Sequence, residues 1–508
     1  MKSRKPTGPT ISHLAAANSF ILKLNASLRG RKRVLTVALY GFVNVLPKVT
    51  SGVLGLVYAR EFASGEYANY AIFASVIYLL ATAIDFGFAS ATLRNFYAEK
   101  NRSSVYIASA VQGARLIALA SLPFFGALLY FFWDQLGVRF TQVWLFAPAL
   151  LLIAYLGRAA DMLATICRAI DRPGYFAAGQ IVQSVGLTLF GIGLVFVFRL
   201  GIGGALLAMV ISQAAGLLAY HVLLAREFDV WHGRLDWATI KGGLAFGLPL
   251  VPDRVAGWVR LMALRPTLAH LVLPSDVGWF SFASSLAAIP NLISTAIDLA
   301  VAPVYFRRRE SSGSDDFHAK MLDFGTVYAA SMLPVWVFAI IFCPEIIRMI
   351  AGPRYAGAVT VCAVLLCASF VRFQLPFLSR QIHFMRRTWL QPAITIPWGF
   401  VPIVLTIVFA GRYGITVAGW STFFAELGIL ISYALAIRRH EQIGYPIATG
   451  LFFSGILALL AVWVANYGSR DDWHMIAVKL SCVFLATGAC FAIWIWPKRQ
   501  LVLQLAGG

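Results

Sequence analysis

A chain of 508 residues that is 59% hydrophobic and only 13% charged, with a mean hydropathy of +0.76, cannot fold as an ordinary water-soluble domain. It requires a bilayer. The formal net charge of +20, from 42 Lys and Arg against 22 Asp and Glu, is the excess that polytopic membrane proteins carry in their cytoplasmic loops, so nucleic acid is not implied as a partner.

Residues 1–33 are polar and basic and read as a cytoplasmic tail. The apolar run 34–58 is too long for a cleaved signal segment and reads as a first span. It is followed by runs at 67–93, 105–133, 140–166, 175–198, 201–225, 242–264, 277–303, 321–343, 355–378, 390–410, 414–437, 447–464 and 473–496. A spanning helix takes about 20 residues, so this pattern predicts an all-α membrane protein of about fourteen transmembrane helices. The seventh run is the least apolar, with Pro249, Pro252, Asp253, Arg254 and Arg260 inside it, and its prolines mark a place for bending.

Charge supports the count of fourteen. With both termini inside, the cytoplasmic segments hold 27 Lys and Arg and the outer loops 8. Omitting the seventh span would place Arg307, Arg308 and Arg309 outside, against the positive-inside bias. The remaining seven basic residues fall within spans: Lys48, Arg115, Arg158, Arg254, Arg260, Arg372 and Lys479. The six cysteines contain no CxxC pair and mostly lie in apolar runs, so they read as core residues.

An internal repeat is also visible. Thr82-Ala83-Ile84-Asp85 recurs 213 positions on as Thr295-Ala296-Ile297-Asp298, and the same shift carries Arg199-Leu200-Gly201-Ile202 onto Arg412-Tyr413-Gly414-Ile415 and Tyr220 onto Tyr433. Six spans separate the copies, so they share an orientation, the parallel repeat related by an axis along the membrane normal. The predicted organisation is an N-lobe at 34–225, a cytoplasmic linker at 226–241, a C-lobe at 242–437, two further helices at 447–496 and a cytoplasmic tail at 497–508. The two six-helix lobes are related by a pseudo-two-fold.

Charged groups at mid-span cost roughly 2.5–3.5 kcal/mol on insertion scales and should face protein or water. In the first run Asn44, Lys48, Ser51, Gly52 and Gly55 form a small polar stripe that places Lys48 near mid-depth. Arg115 and Arg372 lie in the cytoplasmic half of their spans without a local acid, and Arg254 lies near the centre of the seventh. Arg158 and Asp161 have the i, i+3 spacing of a local salt bridge, whereas Lys479, near a helix end, is expected to snorkel. Asp85, Asp298 and Glu426 read either as packing hydrogen bonds or as sites for a coupling cation. Seven in-span bases against roughly five in-span acids (among them Asp85, Asp161, Asp253, Asp298 and Glu426) describe a cavity for an anion. Lys48, Arg254, Arg372, Arg115 and Asn44 are its candidate lining. Guanidinium forks suit phosphate, and a substrate with a diphosphate head and a lipid tail fits both the cavity and the basic loops around it. The mechanism requires those cations to stand unpaired in a shared hydrated vestibule.

Several stretches carry a resemblance to a known family. They are Gly65-Glu66-Tyr67-Ala68-Asn69-Tyr70, Asp85-Phe86-Gly87 with Arg94, Asp276-Val277-Gly278-Trp279-Phe280-Ser281-Phe282-Ala283 leading to Ala302-Pro303, and Ala351-Gly352-Pro353-Arg354-Tyr355-Ala356-Gly357-Ala358. The chain resembles the O-antigen-type oligosaccharide and polysaccharide flippases of the MOP (multidrug, oligosaccharidyl-lipid and polysaccharide) exporter superfamily. The resemblance implies two lobes that alternate access. It implies transfer of a polyprenyl-diphosphate-linked oligosaccharide across the bacterial inner membrane for O-antigen or exopolysaccharide synthesis, without a cofactor. It also implies that cations such as Lys48 and Arg254 hold the diphosphate, and that membrane lipids, a polysaccharide polymerase and glycosyltransferases are partners.

The competing readings are a drug or cation antiporter and a lipid II flippase of the same superfamily. An enzyme is disfavoured because no internal loop is long enough for a catalytic domain and the eight histidines form no metal-type cluster. Gly191-Ile192-Gly193 and Gly201-Ile202-Gly203-Gly204 follow no strand and read as close-packing sites.

Overall fold

The computed structural model describes residues 43, 45–98, 103–138, 142–228, 236–295, 314–385, 387, 389–467 and 473–498. Asn44, Asp298 and residues 1–33 lie outside them. The described residues are all-helical, and twelve helices are long and apolar enough to cross a membrane. The other two expected spans are the first and the seventh. The first is described as the shorter apolar helix α1 (Val45–Tyr58).

In the first half, α2 (Ser64–Ile84) stops where Phe86 and Gly87 take φ of 46° and 72°, and α3 (Phe88–Ala98) restarts the chain. The run expected to be one helix, 67–93, is therefore two. Helices α4 (Ser103–Phe131), α5 (Val143–Ala169), α6 (Pro173–Ile192) and α7 (Gly201–Leu224) follow. The turn into α7 is made at Arg199 and Gly201, with φ of 52° and 56°, and its counterpart after α16 (Leu390–Tyr413) is made at Gly414, with φ of 62°. That is the physical content of the repeated Arg-x-Gly-Ile: glycine takes the left-handed conformation without a Cβ clash.

The seventh run is broken where its prolines fall. α8 (Trp237–Gly247) begins at Asp236, whose carboxylate caps the helix by accepting from the Ala238 and Thr239 amides at 3.1 and 3.3 Å. A 3₁₀ turn at Leu248–Leu250 separates it from α9 (Val251–Met262), and α10 (Leu264–Ala269) completes the segment. The segment is shared between the two halves. α8 packs on α3 and α4, whereas α9 packs on α16 and also on α2.

The second half continues with α11 (Pro274–Ala287), α12 (289–295), α13 (Ser314–Ile341), α14 (Cys343–Ala351), α15 (Ala358–Phe384), α16 and α17 (Thr416–Arg438). α15 is its central post, with 83% of its span buried against α17, α11, α18 and α13. The two last helices, α18 (Ile447–Tyr467) and α19 (Trp473–Ala489), lie against this half, and only 11% of the α19 span is buried, which leaves it facing lipid. The halves meet most closely through α2 and α11, where a Cβ on Gly278 would stand 1.8 Å from the Ser64 carbonyl oxygen. No other residue fits there.

Two sequence expectations about side chains are settled here. The cysteines are free, and all but Cys482 are buried, as read. Lys479 does not snorkel: its side chain is 0% exposed and pairs with Glu345 on α14. The acid comes from 134 positions away, and once paired the ammonium no longer has to reach the interface.

Candidate functional site

Two clusters of charge lie between the helices, one built on Asp85 and the other on Glu426. In the first, the break after α2 leaves Asp85 at the helix end, where it accepts from the Ala89 amide at 3.3 Å. Its carboxylate side chain is 9% exposed and is paired with the Arg254 guanidinium, which crosses from α9 and also donates to the Ser90 hydroxyl at 2.7 Å. Beside the pair lies a cavity of about 20 Å³ lined by Asp85, Arg115, Tyr155, Arg158 and His221 among apolar side chains. It is large enough for a water molecule and far too small for a head group. Arg115 from α4 is hydrogen-bonded to His221 on α7. Arg158 is paired with Asp161, as their spacing predicted.

The second cluster is built on Glu426, midway along α17 and 1% exposed. One carboxylate oxygen accepts from Arg372 Nε and Nη2 at 2.9 and 2.6 Å, and Arg260 Nε stands 3.7 Å from the same oxygen. The other oxygen is buried with no hydrogen-bond partner among the described residues. Arg260 reaches this position because α16 presents Gly399 to it, whose absent Cβ would lie 3.6 Å from the Arg260 Cβ. A carboxylate facing two guanidiniums has the arrangement of a clamp, with its charge already matched.

The expectation that the deep cations stand unpaired is corrected by these contacts. Arg254 and Arg372 are bridged to acids, and Arg115 is bonded to a histidine. The reason is that burying a guanidinium without a counter-charge is costly, and partners 169 and 54 positions away offset that cost for Arg254 and Arg372. Lys48 fits the expectation better. It is exposed, and among the described residues its ammonium has no hydrogen bond or ion pair. Its place relative to Asn44 and to the Asp298 counterpart of Asp85 lies outside the described residues.

Sequence reasoning missed two members. Arg260 was a span residue without an assigned partner, and Arg265, counted in an outer loop, is buried with 8% exposure on α10. The signal was present in the spacing. Arg254, Arg260 and Arg265 recur every five or six residues on one segment, and the apolar Leu268, Leu271 and Val272 resume beyond it. Around these clusters the described side chains include seven cations (Lys48, Arg115, Arg158, Arg254, Arg260, Arg265 and Arg372) and three acids (Asp85, Asp161 and Glu426).

A multi-pass helical body in two packed halves, with buried cations between lipid-facing helices, is the fold seen in solved transporters of the MOP superfamily. No protein-family model and no curated protein sequence matches the chain. Among solved structures, "Lipid II flippase MurJ, inward closed conformation" is similar at a TM-score of 0.66 and 15% identity, over 91% of this chain and 99% of that one. An inward-facing multidrug resistance MATE family transporter of the MOP superfamily gives 0.61 at 14% identity, over 82% and 95%. An outward-facing one gives 0.52 at 15% identity, over 84% and 96%. At these identities the likeness is one of fold.

Proposed function

We propose that this protein is a flippase that carries a polyprenyl-diphosphate-linked oligosaccharide across the bacterial inner membrane by alternating access, in the service of O-antigen or exopolysaccharide synthesis. The observation that carries the reading is the excess of guanidinium and ammonium groups over carboxylates at the centre of a MOP-type fold. Counting Asp253 and Asp298 as well, seven cations still exceed five acids. An excess of this kind attracts an anionic head group and repels the cations that a drug antiporter exchanges. The name of the MurJ structure specifies a lipid, which supports a lipid-linked cargo over a soluble one.

The salt bridges change the mechanism expected from sequence. The diphosphate meets Lys48 first and then competes with Asp85 for Arg254, because a guanidinium fork binds a phosphate as readily as a carboxylate. Release of Arg254 from Asp85 frees α9 from the end of α2, which loosens one contact between the halves. Membrane lipids surround the carrier, and glycosyltransferases and a polymerase act on its cargo before and after transfer.

The test is complementation of a strain that lacks its own oligosaccharide flippase. Lys48→Ala and Arg254→Lys should each reduce surface polysaccharide at least tenfold while the protein remains at wild-type level in the membrane fraction. Normal surface polysaccharide from both variants refutes the proposal.

A further inference from the structure

Arg265 differs from every other deep arginine. Its one hydrogen bond among the described residues runs from Nη1 to the Met262 sulfur, a weak acceptor. Its Nε is buried with no partner, and no described carboxylate pairs with it. A guanidinium cannot shed its proton, so in this setting it keeps a full charge that no acid among the described residues answers. Its neighbours are phenols: Tyr67 and Tyr70 on α2 both lie within electrostatic reach of it. Their rings are 5.8 Å apart, and their hydroxyls converge on Gly55, 3.9 and 3.8 Å from where its Cβ would be. The Tyr67 hydroxyl is hydrogen-bonded to Ser285, while that of Tyr70 has no partner among the described residues.

This is a donor set without an acceptor. Its place in the fold gives it a role. α10 touches α2 of one half and α11 and α16 of the other. An aromatic seal between the halves lies over α2 and α11, with Tyr67 edge-on to Tyr355 at 6.0 Å, Phe282 5.0 Å from Tyr355, and the Tyr355 hydroxyl donating to the Phe62 carbonyl at 3.3 Å. Arg254, Arg260 and Arg265 are spaced by a helical rise of roughly 9 and then 8 Å, and Arg260 is already committed to Glu426.

We infer that Arg265 and the Tyr70 hydroxyl form a second anion site, taking a phosphate oxyanion, behind the seal formed where α2 meets α11. The planar fork matches a phosphate edge, and the phenol adds a neutral donor beside it. The phosphate is either free in solution or the head group of the carried lipid, and the latter source rests on the flippase reading above. When the halves part at this end, α10 loses its contacts with one of them and the anion is released.

The experiment uses the full-length protein purified in detergent, in chloride-free gluconate buffer of fixed ionic strength, and follows thermal unfolding. Without phosphate, Arg265→Met should unfold at or above the wild-type temperature, because it removes an unanswered charge. With inorganic pyrophosphate the wild type should rise and Arg265→Met should not, so that the order reverses. Arg265→Lys should retain part of the shift, and Tyr70→Phe should need several-fold more pyrophosphate. If Arg265→Met unfolds below wild type by the same margin in both buffers, or if pyrophosphate raises both equally, Arg265 is a structural residue and the inference fails. An equal Arg265-dependent shift with chloride overturns the oxyanion assignment. A short-chain prenyl diphosphate that acts at a tenfold lower concentration than pyrophosphate assigns the site to the carried head group, and equal potency assigns it to free phosphate. Because Lys48→Ala and Arg254→Lys leave Arg265 intact, normal export in both variants would refute the flippase reading without touching the pyrophosphate shift.

Discussion

Gly87 and Gly247 pack backbone against backbone. A Cβ on Gly87 would stand 2.4 Å from the Gly247 carbonyl oxygen, and one on Gly247 would stand 2.3 Å from the carbonyl oxygen of Phe86. The break after α2 and the break after α8 are thereby pressed together, and this contact positions Asp85 opposite Arg254. Gly87→Ala also forces a side chain onto a φ of 72°, which adds roughly 1–2 kcal/mol of strain to an overpacking cost of about 1–3 kcal/mol. Either substitution should lower the unfolding temperature in detergent. Gly257→Ala, with nothing within 4 Å of the new methyl, should leave it unchanged.

Asp85 and Arg254 should behave as a coupled pair. Removing one partner strands a buried charge, at roughly 3–5 kcal/mol, whereas replacing both with neutral groups of similar volume is close to neutral. Arg254→Met and Asp85→Asn should therefore each destabilise the protein more than the double variant does. Unfolding temperatures that simply add would show that the two side chains do not depend on each other.

Lys479 and Glu345 make a second such pair, at the edge of the protein. It ties the lipid-facing α19 to α14, and the lysine side chain is wholly buried while Glu345 is one-third exposed. Lys479→Ala should destabilise the docking of α19 and leave residues 473–498 as the first segment cut by limited proteolysis. Combining Lys479→Met with Glu345→Met should restore resistance, because the site then packs as apolar surface. Unchanged proteolysis in Lys479→Ala would mean that α19 is held by its apolar contacts with α13 alone.

The spans were legible because a bilayer imposes one requirement on every helix: about twenty apolar residues between charges. The repeated Arg-x-Gly-Ile was legible for a different reason, since a left-handed turn selects glycine at Gly201 and at Gly414. Local pairing was legible too, as Arg158 with Asp161 shows. Pairing at long range was not. Nothing in the sequence near Arg254, Arg372 or Lys479 points to Asp85, Glu426 or Glu345, because those contacts depend on how whole helices stack. Arg265 was misplaced for a related reason: a charge at the end of an apolar run ends the run on paper, although the chain continues as a buried helix.

Glu426 bears on how the proposed flippase would be driven. Its sequence position admits a coupling-cation site, but Arg260 and Arg372 both address one of its oxygens and leave the other without a partner. Two guanidiniums at such distances repel any further cation brought beside the carboxylate. Exchanging sodium for potassium at fixed ionic strength should therefore leave the unfolding temperature unchanged in the wild type. Glu426→Gln should lower it by an amount equivalent to roughly 3–5 kcal/mol, because Arg260 and Arg372 then face each other without a counter-charge, and adding Arg372→Met should recover most of the loss. A sodium-dependent rise that vanishes in Glu426→Gln would contradict the clamp and make Glu426 a cation ligand. With the clamp upheld, the proposed flippase needs another driving force, and an inside-negative membrane potential is sufficient in kind, since each negative charge moved outward gains about 2.3 kcal/mol per 100 mV.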